Sequence, residues 1–581
     1  MARATAVRPH HPGSPPASCG CGGPFVAGLG ALAPRPTALP PVPTHRAHDG
    51  RATVVRGATV LTMDPASTVA GAIAFRDGRI VAVGDGDEVA AAAGRDARVV
   101  DADGAVVLPG FIEPHAHLVP TALLGGWHDV GAARFPTVDS VIEHLAGLAA
   151  DVPRGGWLTA RQFDPSLQAG PSELTTDLLD RASTEVPVLV LNASLHFAYA
   201  NSAALRVAGV DRDTPDPEHS PYGRYADGTP NGVLVGQAAM LSVATHDPRM
   251  LATDLVAEGR AVARRAASVG ITTICDQGTG MVLGPEDADL YRAMADDDGL
   301  ATRLRYSALD NRADAWDLVG LAPGDGDDRI RATGWKIISD GSNQGRTGHQ
   351  RTPYLGSTDR GLPYVEPAEL AARARHRAAQ GWQVVIHANG DQAIDDTLAA
   401  LAGAVDAGGP DRRHRIEHCS LLHDDQIARI AELGVSPSFL IGHVHYWGQA
   451  FRDEILGSER ADLLDRTASC SAAGIRWTVH SDEMVTAMGP LRCVHNAVTR
   501  ELWREPGTVL TPGERVPVES ALRAVTADAA WQCHSDHEIG TLEVGKRADL
   551  VVLGGDPRTV DPGDLAEIEV LETWMDGVRR H

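Results

Sequence analysis

Lysine is almost missing from this 581-residue chain: of 52 Lys+Arg residues, only Lys336 and Lys546 are lysine. Arginine replaces a surface lysine at little cost, but it cannot replace a lysine whose neutral amine does chemistry. Each surviving lysine is therefore worth following. Cysteine is sparse and irregularly spaced, at Cys19, Cys21, Cys275, Cys419, Cys470, Cys493 and Cys533. That excludes a disulfide scaffold and implies reduced thiols in a cytoplasmic protein. Cys19-Gly20-Cys21 is too tightly spaced for a CxxC zinc or redox motif. No apolar run is long enough to span a membrane. Phe25 to Pro34 is too short and glycine-diluted for a signal peptide. Positive charge is also in deficit, and a net charge of −24 excludes nucleic acid and anionic membranes as partners. Aromatic residues are only 4% of the chain, so a local gathering of them carries information.

What is present is a large globular chain with strand-rich ends. Residues 1–50 are rich in Pro, Gly, His and Arg without periodicity and read as a flexible leader. Ala52 to Met63, Ala72 to Val83, Ala97 to Val107, Ala548 to Leu553 and Ile568 to Trp574 read as short β-branched strands. Residues 51–108 and 536–581 together suggest one small β-sandwich domain built from both termini. Between them, residues 109–535 alternate apolar strands with helical segments such as Leu251 to Ser268, Pro367 to Gln380, Asp391 to Ala407 and Asp424 to Leu433. Repeated strand–helix units predict an α/β fold with a parallel sheet, and their number predicts a (β/α)8 TIM-type barrel. A doubly wound open sheet is the alternative, but no GxGxxG-type loop follows the first strand. Residues of about 120–255 break the rhythm and read as a large insertion after the first barrel strand, able to cover its mouth.

Ligand-type side chains recur at the ends of the predicted strands. Val106 to His117 runs from an apolar strand into His115-Ala116-His117. On an extended backbone, residues i and i+2 point the same way, so both imidazoles reach one ion. Val384-Val385-Ile386-His387, Arg415-Ile416-Glu417-His418 and Trp477-Thr478-Val479-His480-Ser481-Asp482 end in the same manner. In a parallel barrel the strand C-termini converge on one face. There His115, His117, His387, His418 and Asp482 form a nitrogen and oxygen donor set for one or two divalent ions of the zinc type. Lys336 ends a similar run, Gly334-Trp335-Lys336-Ile337-Ile338. Beside cations, burial favours its neutral amine. That amine takes up carbon dioxide to give an anionic carbamate, which bridges two metals. Pairing with Asp340 is the alternative role.

The ordered set HxH, Lys, His, His, Asp resembles the amidohydrolase superfamily from about residue 52 to the end. Val107 to His117 looks like its first-strand signature, and Gly540 to Val551, with Lys546 in a turn, looks like its C-terminal return to the sandwich. Leu195-His196, Asn201 to Leu205, Trp335 to Ser342 and His387 to Ile394 resemble the subgroup called amidohydrolase family 3, or YtcJ-like. Pro437 to Gly448 and His480-Ser481-Asp482 look most like its N-substituted formamide deformylase branch. Two positions depart from the subgroup. Gly236 stands where many members carry glutamate, and His480 stands where glycine is more usual. The resemblance also implies a homodimer.

A zinc-type ion lowers the pKa of water to about 7, which supplies hydroxide for amide hydrolysis. Asp482 is the candidate general base, and His443 or His196 would polarise the carbonyl. Trp335, Phe439, Tyr446, Trp447 and Trp477 lie near strand ends and predict an apolar pocket for a small-molecule amide. His443 and His445 share the HxH spacing and are candidate substrate contacts. The expected reaction is release of amine and formate from an N-substituted formamide. Opening of a cyclic amide, deamination of a heterocycle, and a catalytically inactive scaffold are the competing readings.

Overall fold

Eight apolar segments become parallel strands in the computed structural model, which describes residues 50–581 apart from 172, 196, 218 and 219. The leader, with Cys19 and Cys21, and the candidate His196 lie outside the described residues. The strands are β1 (Phe111–Ala116), β2 (Ile271–Thr279), β3 (Arg303–Leu309), β4 (Ile330–Ile338), β5 (Gln383–Ala388), β6 (Arg415–His418), β7 (Ser436–Phe439) and β8 (Thr478–Val479). Each pairs in parallel with the next in chain order. A parallel bridge between Ala116 and Glu483 joins the end of β1 to the segment after β8. The sheet is thus nearly closed, as in a TIM-type barrel, and the doubly wound alternative is excluded.

The helices form where the sequence supplies start and stop signals. Asp254 accepts the backbone N–H groups of Val256 and Ala257 and so starts Leu255–Ser268. Pro367 opens Pro367–Ala379 from its first turn. Gly434, at φ 66°, ends Asp424–Leu433 in the left-handed conformation that glycine adopts without strain.

Both chain ends meet in a separate eight-stranded sheet. Its hydrogen-bonding order runs from Val578–Arg579 through Val570–Met575, Leu550–Leu553, Val106–Pro109 and Thr53–Leu61 to Val69–Arg76 and Arg79–Gly84, with Arg98–Asp101 also on Thr53–Leu61. Phe75 and Trp574 are four strands apart in that order, yet their rings are 5.6 Å apart. The sheet therefore curls over its own core. It is clamped to the barrel floor by buried charges: Arg303 donates to Asp549 at 2.7 Å, and Arg305 donates to Glu538 at 2.9 Å.

The segment between β1 and β2, expected as an insertion able to cover the barrel mouth, holds a third sheet. Its six strands are, in order, Tyr222–Arg224, Pro230–Val235, Phe197–Ala200, Val188–Asn192, Leu158–Phe163 and His128–Asp129. Two ties fasten it over the barrel mouth. The Gln162 amide donates to the Met484 carbonyl, and the Trp447 indole N–H donates to Asp164 at 2.8 Å. Among the described residues no helix is long and apolar enough to cross a membrane.

Candidate metal centre

Strand alternation aims the donors inward. Thr478, at the base of β8, lies 2.8 Å from Ser438 and from Gln532 inside the barrel, so His480 two residues on faces inward too. Two backbone departures widen the set. His418 and Asp482 leave their strands at φ 65° and 51°, in the left-handed region that side-chain-bearing residues rarely adopt. At β6 this turn lets two consecutive residues, Glu417 and His418, both reach the centre.

Four of the six predicted ligands meet there directly. His115 Nε2 and His117 Nε2 lie 3.4 and 3.1 Å from Asp482 Oδ1, and His418 Nδ1 lies 3.9 Å from Asp482 Oδ2. All four residues are buried, as is Lys336. Lys336 lies close enough for its charge to act on His115, His117, His418 and Asp482. His387 flanks the cluster, with its ring 4.5 Å from that of His418 and its Nε2 3.1 Å from the Gly341 carbonyl. His480, absent from the predicted set, is a full member. Donor atoms of His115, His418 and His480 lie within 4.8 Å of one another, as do those of His115, His117 and Asp482.

Electrostatics puts these groups in the form that binds cations. Burial, then Lys336, holds His115 well below the usual histidine range, and burial, then His387, does the same to His418. Burial lowers His480 to about 3. Burial would raise Asp482, but the hydrogen bond and charge of His117 outweigh it and hold the carboxyl at about 2. His117 moves up for the reciprocal reason, against its own burial. The result is neutral imidazoles at His115, His418 and His480, and a His117 proton shared with the Asp482 carboxylate that a cation would displace.

Several of these atoms find no hydrogen-bond partner in the protein: His115 Nε2, His117 Nδ1, His418 Nδ1 and both ring nitrogens of His480. A buried polar atom left unpaired costs about 1–3 kcal/mol. So many in one place fit a divalent cation, which takes neutral nitrogen and carboxylate oxygen donors.

The layer behind the donors was largely missed in the sequence. Glu417 Oε2 lies 2.6 Å from His115 Nδ1. A carboxylate acceptor requires the proton on Nδ1, which leaves the Nε2 lone pair facing the centre. Arg415 donates to both Glu417 oxygens, at 2.8 and 2.9 Å, and to the Pro114 carbonyl at 3.0 Å. Residues 415 and 417 alternate on one strand face, so the signal was present in the motif that supplied His418. Glu113 accepts the Ser481 N–H at 3.1 Å and its hydroxyl at 2.7 Å, which fixes the turn carrying Asp482. Asp340 accepts three backbone N–H groups, from His349, Asn389 and Gly390, and lies 3.5 Å from His387 Nε2.

His443, in a π-helical turn after β7, lies 3.2 Å from Ser420 Oγ. The Ser420 hydroxyl is committed to Asn389 Oδ1 at 2.7 Å, so His443 Nδ1–H is the donor in that contact. The Nε2 of neutral His443 is then an acceptor.

The predicted aromatic pocket is dispersed. With Lys336 inward, Trp335 faces out: its indole donates to Asp310 at 2.7 Å, and Arg377 stacks 3.7 Å from its ring. A surface cavity of about 530 Å3 lined by Asp310, Arg373 and Arg377 lies on that outer side, not at the cluster. Phe439 packs behind β7 against Trp477, at 6.4 Å, and Trp477 donates to Ser471 of an outer helix. Tyr446 sits beside His445 and Trp503, and His445 Nδ1 is bound to the Glu501 carbonyl at 2.8 Å. Trp447 alone turns toward His443, at 5.8 Å, under the tie to Asp164. Lys546 is a turn residue, held by the Asp536 carbonyl and Thr541.

The amidohydrolase family profile matches residues 98–581. The chain is 30% identical over 539 residues to N-substituted formamide deformylase of Arthrobacter pascens, covering 91% of this chain and 98% of that protein. It is 26% identical over 495 residues to the putative amidohydrolase YtcJ of Bacillus subtilis (strain 168), covering 82% and 89%. An uncharacterized metal-dependent hydrolase from Pyrococcus horikoshii OT3 shares the fold, with a TM-score of 0.69, 21% identity, and coverage of 88% of this chain and 99% of that one. Barrel, donor cluster and family profile agree, and this chain belongs to the amidohydrolase family of hydrolases.

Proposed function

We propose that the chain is a metal-dependent amidohydrolase that cleaves N-substituted formamides to amine and formate. The observation that carries the hydrolytic reading is the group of unpartnered donor atoms at the C-terminal mouth of the barrel. The formamide substrate is supported by the 30% identity to the Arthrobacter pascens deformylase over nearly the full length of both chains. His115, His117, Lys336, His387, His418 and Asp482 would hold one or two Zn2+ ions, with Lys336 N-carboxylated as a bridge. When bound, such a cation polarises the substrate carbonyl and lowers the pKa of water to about 7.

The protein's own groups do the rest. Asp482, held ionised at the centre, takes a proton from the attacking water and returns it to the leaving nitrogen. Water and formamide are thereby converted to formate and amine with no other reactant. His443 Nε2 accepts the amide N–H, and the role of polarising the carbonyl is assigned to His196 on the sequence alone. Trp447 closes the pocket on the side of the six-stranded sheet. The domain division follows the sequence reading: a leader over about 1–50, a β-sandwich from 51–108 with 536–581, and a barrel over 109–535 carrying an insertion at about 120–255. The curl that brings Phe75 onto Trp574 supports the sandwich. The protein acts in the cytoplasm as a homodimer on a small-molecule amide.

The test is formate release from N-benzylformamide by metal-replete protein, with ammonia followed in parallel. Formate with an equal amount of benzylamine supports the proposal. Ammonia from heterocyclic amines, or opening of a cyclic amide, assigns the other chemistry on the same centre. No formate from any arylalkyl formamide rejects the substrate.

A further inference from the structure

His480 has no assigned role in the ligand series, yet it is the least satisfied polar side chain near the centre. It is 1% exposed, and neither ring nitrogen has a partner in the protein. Its donor lies within 4.8 Å of donors on His115 and His418. An aromatic ring of similar size would fill the space without stranding two polar atoms, a penalty of about 1–3 kcal/mol each.

We propose that His480 is itself a cation ligand, acting with His418 at a second metal position beside the one surrounded by His115, His117 and Asp482. The ring geometry separates the two positions. His480 stacks on His115 with centroids 4.5 Å apart and planes inclined by 8°. Parallel rings project their in-plane lone pairs side by side rather than toward a common point, so two neighbouring cations suit them better than one. His418 is tilted by 52° to His480 at 5.2 Å, so the two rings are not held in parallel planes, and their donor atoms lie within 4.8 Å of each other. Imidazole donors select zinc, cobalt, nickel or copper over magnesium and calcium. His115 Nδ1 is already committed to Glu417, which keeps its Nε2 for the first position.

This inference rests on the metal-dependent reading above, and the experiment separates the two. Full-length wild-type protein and His480→Gln are stripped with a chelator and titrated with Co2+, followed by absorbance and by competition with a chromophoric chelator. Wild-type protein should bind two equivalents. His480→Gln should keep one and bind the second at least about tenfold more weakly, with an altered Co2+ spectrum. Equal capacity, affinity and spectrum in a folded His480→Gln protein overturn the proposal. A wild-type capacity of one overturns the two-position arrangement. No binding by wild-type protein removes the metal reading itself. Should His480→Gln lose the native circular-dichroism spectrum, anomalous diffraction from Zn2+-loaded wild-type crystals decides: a metal about 2.1 Å from a His480 ring nitrogen supports the proposal, and metals that leave His480 uncoordinated refute it.

Discussion

Replacing Glu417 by glutamine keeps its volume and removes the charge that Arg415 and His115 share. In the native protein Arg415 donates twice to that carboxylate, and both residues are fully buried. The variant leaves the Arg415 guanidinium in the barrel with no carboxylate against it. Breaking one side of a buried pair costs about 3–5 kcal/mol. His115 loses its charged acceptor at the same time, and such supporting contacts are worth about 10–100-fold in metal affinity. Thermal unfolding of the metal-free protein and chelator competition of the loaded protein read the two effects separately. The double variant Arg415→Met/Glu417→Leu should recover most of the stability, because neither charge remains, while metal affinity stays low. Glu417→Gln with native stability and native affinity would refute both the buried pair and the orientation of His115.

Asp482→Asn should retain most of its metal while turnover falls by about 10²–10⁴-fold, the usual contribution of a positioned base; unchanged turnover excludes Asp482 as the base. Trp335→Phe should leave kcat and KM for N-benzylformamide unaltered and lower stability by about 1–3 kcal/mol, since a buried ring loses volume, its bond to Asp310 and part of its stack with Arg377, all on the outer face; a changed KM would return Trp335 to the pocket. His414 should weaken the protein in acid. Burial, then Arg412, lowers it to about 4, and its Nδ1 accepts the Val384 N–H at 3.0 Å. The folded pKa lies below the ordinary value, so its stabilisation is complete above pH 6.5 and is lost as pH falls through 4, by up to about 3 kcal/mol. His414→Asn should flatten unfolding midpoints between pH 7 and 4.5, and an unchanged slope would show that His414 does not set it.

The ligand series was legible because strand ends of a parallel barrel converge, so separate His and Asp motifs implied one place. The strand Arg303–Leu309 was not legible, since its arginines interrupt the apolar run. They do so because they face the charged floor, where Asp549 and Glu538 receive them. The six-stranded sheet was hidden for a similar reason. Its strands are short and separated by Asp, Pro and Gly turns, and they pair out of chain order. The aromatic pocket failed on a single-residue alternation: with Lys336 inward, Trp335 must point outward. Glu417 and His480 were visible as residues but not as participants. The left-handed turn at His418 is a backbone feature that strand periodicity does not report.

Metal content of natively purified protein tests the central claim most directly. Elemental analysis against protein concentration should find at least one divalent cation per chain, lost with hydrolytic activity on chelation and regained on adding Zn2+. A ratio near zero in folded protein that still hydrolyses its substrate would contradict the account.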